Sequence, residues 1–185
     1  MAKKPSYVGL LNAIANGERG GHELFASWSA ATQDKALKKT LDMVAVREME
    51  HSWAFEKRLS ELGFELRAPA DASGKAALVK HVALLSSDVS DEKKFASFGI
   101  GGSIPKGKKL KKNGKKSSKE SKKLAKRLAK EEAAQAEPDK LLMILSDPSI
   151  DPATGALMGR FIAEERDTGR RLAKAYKALQ QRQRS

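Results

Sequence analysis

Three acidic residues stand where helical periodicity asks for apolar ones: Glu18, Glu48 and Glu165. A carboxylate in a core is costly unless it is paired, hydrogen-bonded or bound to a metal. Three of them meeting in one layer repel one another unless a cation or protons intervene. His51 follows Glu48 by three residues, so both side chains leave the same helix face within one turn. Glu-x-x-His on one helix, with a Glu from a neighbour, offers hard oxygen and imidazole donors suited to Fe, Mn or Zn. Glu18, Glu48, His51 and Glu165 are therefore the candidate metal ligands. The competing reading pairs Glu48 or Glu165 with an arginine such as Arg47 or Arg166, or turns it to solvent at a bundle edge.

Three long amphipathic segments carry these residues. The first, over residues 5–31, aligns Tyr7, Leu11, Ile14, Glu18, Gly21, Phe25 and Trp28 on one stripe. The second, over 34–62, aligns Leu37, Leu41, Val44, Glu48, His51, Phe55, Leu59 and Leu62. It opens on Asp34 as a cap, and Gly63 follows it where a helix-terminating glycine belongs. The third, over 151–180, opens with Asp151 as N-cap and Pro152 at the first helical position. Its stripe is Leu157, Phe161, Glu165, Thr168, Leu172, Tyr176 and Leu179. Shorter helices are predicted at 75–85, 91–98 and 138–145. No alternating strand pattern persists, so the expected class is all-α. The short link at 32–34 makes the first two helices an antiparallel hairpin. Nearly thirty residues then pass before the next clear cap at Ser90, the pattern of a bundle with one long crossover.

The chain has 185 residues, with 36 Lys and Arg against 23 Asp and Glu, a net charge of +13. All but one of those net charges fall in residues 104–130, which hold twelve Lys, Arg127 and a single acid, Glu120. The expected organisation is a helical hairpin and crossover over 1–98, a basic insertion over 99–137 and the closing bundle helices over 138–185. The insertion reads as a Gly- and Lys-rich loop followed by a partly helical stretch. Its cations are the candidate polyanion contacts: Lys106, Lys108, Lys109, Lys111, Lys112, Lys115, Lys116, Lys119, Lys122, Lys123, Lys126, Arg127 and Lys130. Because no aromatic lies among them, binding to nucleic acid would be nonspecific, driven by counterion release. Cysteine is absent, which excludes disulfides, thiolate metal sites and a cysteine nucleophile. No apolar run reaches the roughly 18 residues of a membrane span. With no apolar leader behind Met1, the expectation is a cytoplasmic protein.

In residues 10–18 (LLNAIANGE) and 47–51 (REMEH), and less fully in 162–172 (IAEERDTGRRL), the chain resembles the ferritin-like family, in particular its rubrerythrin-type domain. The resemblance implies a metal site for oxygen or peroxide chemistry, or for iron oxidation. By position, Glu18, Glu48 and His51 would hold a first metal and Glu165 would bridge to a second. Thr168 stands where the family has a second His. Glu92, or less readily Glu131 or Glu132, would have to supply the acid of the third helix. The resemblance thus implies a reduced site with one Fe or Mn, or a metal-free remnant held by hydrogen bonds. The alternative is a non-enzymatic nucleic-acid- or ribosome-binding protein that presents its lysine segment on a helical scaffold. A second copy of the chain, in a homodimer, is a further partner compatible with the sequence. Of the remaining polar residues, His22 and Glu23 are expected at the surface and His81 half-buried. Trp28, Trp53 and Tyr176 are expected as core or interface anchors.

Overall fold

A computed structural model describes residues 5–69, 72–101 and 148–182. Among them are five helices and no strand: α1 Val8–Ala31, α2 Lys35–Glu61, α3 Ala72–Leu85, α4 Asp91–Ser97 and α5 Pro152–Arg182. The all-α expectation holds, and the long helices begin and end within a few residues of the predicted bounds. Met1–Gly102 and Ser149–Ser185 together make one compact unit. The basic residues of 104–130 and the predicted helix at 138–145 lie outside the described residues. No helix among the described residues is long and apolar enough to cross a membrane.

The helix ends follow from local chemistry. The Asp34 carboxylate accepts hydrogen bonds from the backbone N–H groups of Ala36 and Leu37, satisfying two donors that the first turn of α2 leaves free. At the other end Gly63 has φ +80°. Its N–H donates to Ser60 O and that of Phe64 to Leu59 O, the paired bonds of a Schellman stop. The three residues between α1 and α2 fold them back as an antiparallel hairpin, and α5 packs against α2. The crossover holds α3 and α4. Trp28 anchors α4, donating from Nε1 to Asp91 Oδ1 at 2.7 Å while its ring meets Phe95 edge-on.

Burial follows the predicted stripes with small rotations. On α1 Ala15 is buried and Ile14 only partly; on α5 Met158 replaces Leu157 as the buried residue. The apolar core falls into two parts along the bundle. Phe25, Trp28, Leu37, Leu41, Val44 and Leu172 form one, and Leu11, Phe55, Leu59, Met158 and Phe161 pack further along the same helices. The acidic stripe residues occupy the layer between, so apolar packing on both sides fixes their height.

Asp151 closes the far end. It caps α5 through Thr154 N at 3.0 Å, accepts from Tyr7 Oη at 2.8 Å, and pairs with Arg58 at 2.7 Å. One carboxylate thus ties the start of α1, the end of α2 and the start of α5. The bonds from Thr154, with those from Tyr7 and Arg58, hold its pKa well below the usual carboxylate range. A lowered pKa gives stability that is present above the unfolded value and lost as pH falls toward the folded one. Asp151→Ala is therefore expected to cost about 3 kcal/mol near neutral pH, the sum of a lost cap and a lost charge-assisted pair. Urea titrations should show that deficit shrinking as pH is lowered from 5 to about 2. A deficit that stays constant with pH would contradict this role.

Candidate metal centre

The three long helices each deliver an acid to one layer. The Nδ1 atom of His51 lies 3.1 Å from Glu18 Oε2 and 3.6 Å from Glu165 Oε1. Glu18, His51 and Glu165 each offer one ligand atom within 4.8 Å of the others. The His51 side chain is 6% exposed and that of Glu18 12%, so both are screened from water. Glu165 Oε1 is itself buried and accepts no hydrogen bond. A buried carboxylate oxygen without a donor costs free energy until something positive reaches it.

The other face of the imidazole is bound as well. His51 Nε2 lies 2.7 Å from Glu164 Oε2, and the second oxygen of Glu164 accepts from Arg160 Nε at 2.9 Å. A carboxylate on one ring nitrogen leaves the other nitrogen aimed at the acids. That is how metal-bound histidines are commonly oriented. Phe161 meets the ring edge-on at 5.1 Å and fixes its plane. A cavity of about 220 Å³ opens beside it, lined by His51, Ala54, Leu157, Arg160, Phe161 and Glu164.

Burial, reinforced by the charges of Glu18 and Glu165 and a hydrogen bond with Glu18, pushes the Glu48 carboxyl up to about 9, so it holds a proton at neutral pH. Burial and the Glu18 charge raise Glu165 too. Burial alone would depress His51, but its bonds to Glu18 and Glu164 outweigh that and raise it. Without a metal, the proton on Glu48 thus removes one negative charge from the layer.

Of the four predicted ligands, Glu18, His51 and Glu165 come together. Glu48 adjoins them through Glu18 and stands outside the set of ligand atoms within 4.8 Å. Arg47 pairs with neither Glu48 nor Glu165. It crosses to α5, where Nη1 donates to Asp167 Oδ2 at 3.1 Å, Thr168 Oγ1 at 3.0 Å and Glu164 O at 3.1 Å. Glu92 on α4 is not a member of the cluster, and Glu131 and Glu132 lie outside the described residues. Glu164 was missed, because one residue before Glu165 it should face about 100° away. Its only sequence signal is the doubled acid Glu164-Glu165. Two other expectations change. His22 is half-buried, its Nδ1 2.8 Å from Ala45 O, and Trp53 is 60% exposed, which excludes the core role and leaves the interface role of its expected pair. His81 is half-buried as expected, within 2.8 Å of Ser97 Oγ.

Gly21 gives Glu48 its place. A Cβ at residue 21 would overlap the Glu48 carboxylate, whereas one at Gly17 would meet nothing within 4 Å. In a helix Gly→Ala normally gains up to about 1 kcal/mol. Gly17→Ala is expected to stabilise by that amount. Gly21→Ala is expected to destabilise by about 1–3 kcal/mol, as overpacking does. Thermal melts of the two variants check the contrast, and equal shifts would mean that Glu48 moves away at no cost.

No family model matches the chain, and neither a curated protein nor a solved structure matches it.

Proposed function

We propose that the chain is a ferritin-like, rubrerythrin-type bundle protein whose Glu18, His51 and Glu165 hold one divalent metal per chain, Fe or Mn. The observation that carries this reading is the buried Glu165 Oε1, which accepts no hydrogen bond and lies 3.6 Å from His51 Nδ1 in one cluster with Glu18. The donors suit such an ion: two carboxylates and one imidazole are intermediate-to-hard ligands, with no sulfur. A bound Fe or Mn would supply one-electron redox chemistry toward oxygen or peroxide.

The chain's own residues do the rest. Glu164 accepts the His51 Nε2 proton and so keeps Nδ1 turned inward. Glu48 stores a proton beside Glu18 and can release it when a cation arrives. Arg47 supports a single-metal site: its guanidinium takes up Thr168, at the position of the family's second His, and Asp167 before it in the sequence. The twelve lysines and Arg127 of 104–130 keep nonspecific polyanion binding as a second activity of the same chain.

Elemental analysis after reconstitution with Fe(II) or Mn(II) and gel filtration is expected to give one equivalent per chain. Metal-free protein after that treatment would leave a hydrogen-bonded carboxylate–histidine cluster in a scaffold protein.

A further inference from the structure

Two stretches far apart in the sequence meet at the end of the unit opposite Asp151. A groove of about 430 Å³ runs there between the first third of α2 and the last third of α5. Its lining includes Leu37, Ala175 and Ala178 and the cations Lys39, Arg171, Lys174 and Arg182. Arg171 is pinned by Asp167 and Arg182 by Asp34. Lys39 and Lys174 are exposed, with no ion pair seen among the described residues. Beyond Asp167, α5 carries Arg170, Arg171, Lys174, Lys177 and Arg182 and no acid.

We propose that this basic end of the bundle docks the phosphate backbone of duplex nucleic acid. Arg170, Lys174 and Lys177 recur at i, i+4 and i+7 on one face of α5, all exposed. At 1.5 Å per residue they span about 10 Å of helix, close to the rise of three nucleotides along one strand at about 3.4 Å each. Of these three cations, Lys174 lines the groove; Lys39 faces it from α2, with Arg171 and Arg182 also on the α5 side, so cations stand on both sides of the groove. Charge complementarity selects a polyanion. The large exposed apolar residues, Val46, Trp53 and Val79, do not line the groove, so this face has no wedge for a lipid surface. No aromatic lines it either, which leaves phosphate contacts without base readout. This surface shares no residue with the metal cluster or with 104–130, and does not depend on either reading.

The test compares two charge-reversed pairs in the full chain, which change net charge equally. One is Lys39→Glu with Lys174→Glu on the groove rim. The other is Lys75→Glu with Lys80→Glu, both exposed on α3. Binding to a mixed-sequence DNA duplex is followed by fluorescence anisotropy between about 50 and 200 mM salt. The rim pair is expected to weaken binding at least about tenfold and to reduce the slope of log K against log salt by about 2, one for each phosphate no longer neutralised. The α3 pair is expected to leave the slope unchanged. If charge reversal lowers the melting temperature, Lys39→Gln with Lys174→Gln must show the same loss of slope. Equal effects of the rim and α3 pairs would overturn the proposal. So would loss of binding to anionic phospholipid vesicles in the rim variant while its DNA affinity is unchanged.

Discussion

His51→Ala is expected to lower the affinity for Co²⁺ or Mn²⁺ by at least about 100-fold, more than the 10–100-fold that follows loss of an outer hydrogen-bond partner. The imidazole is the one nitrogen donor in the cluster, and its Nδ1 is the atom both carboxylates face. Glu164→Gln removes only the charge that orients the ring, and should cost between about 10- and 100-fold. The same geometry sets the pH dependence. A metal needs Nδ1 free of its proton, and the bonds to Glu18 and Glu164 raise the pH at which that proton leaves. Affinity should therefore rise from pH 6 to pH 8, with protons released on binding. Calorimetry in buffers of different ionisation enthalpy counts them. Affinity that is flat with pH, or unchanged in His51→Ala, would remove the imidazole from the site.

Glu48→Gln is expected to raise the melting temperature of the metal-free protein at pH 8 by at least about 4 °C, equivalent to about 1 kcal/mol or more. Folded Glu48 titrates at about 9 because of burial and the charges of Glu18 and Glu165, against about 4.3 for an ordinary glutamate. Between those values the folded chain keeps a proton that the unfolded chain gives up. The stabilisation is thus complete below the unfolded pKa and is lost as pH rises through the folded one. The wild type should lose stability steadily from pH 5 to pH 9. The glutamine, neutral at every pH and able to donate to Glu18, should flatten that slope. Parallel stability profiles for the two proteins would show that Glu48 is already charged in the fold.

The helices were legible because their ends are written in local chemistry. Asp34, Gly63, Asp151 and Pro152 each satisfy or terminate backbone groups whatever the rest of the chain does. Glu18, Glu48, His51 and Glu165 were legible for a related reason: a charge on a regular apolar stripe stands out against its neighbours. Glu164 did not, because periodicity assigns one residue to the seam and puts the next off it. In the fold His51 reaches across the seam edge to Glu164. Arg47 showed the opposite failure. Its closeness to Glu48 in sequence suggested a local pair, yet its long side chain finds three acceptors on α5 instead. The acid-free run from Arg170 to Arg182 is visible in the sequence, but its pairing with Lys39 is not, since Lys39 and Lys174 become neighbours only when α2 and α5 align.

The Asp151 latch has a kinetic consequence. Its bonds to Arg58 and Tyr7 join residues 93 and 144 positions apart, whereas the α1–α2 hairpin closes through a three-residue link. Nearby contacts form early and distant ones wait on loop closure. Refolding should therefore build the hairpin first, with Glu18, Glu48 and His51 already side by side, and dock α5 afterwards. Glu165 arrives only in that last step. In a stopped-flow experiment with Co²⁺ present, the metal's visible absorbance should lag behind the helical signal by the time α5 takes to dock. A bound cation should slow the reverse step, holding α5 down until the ion leaves.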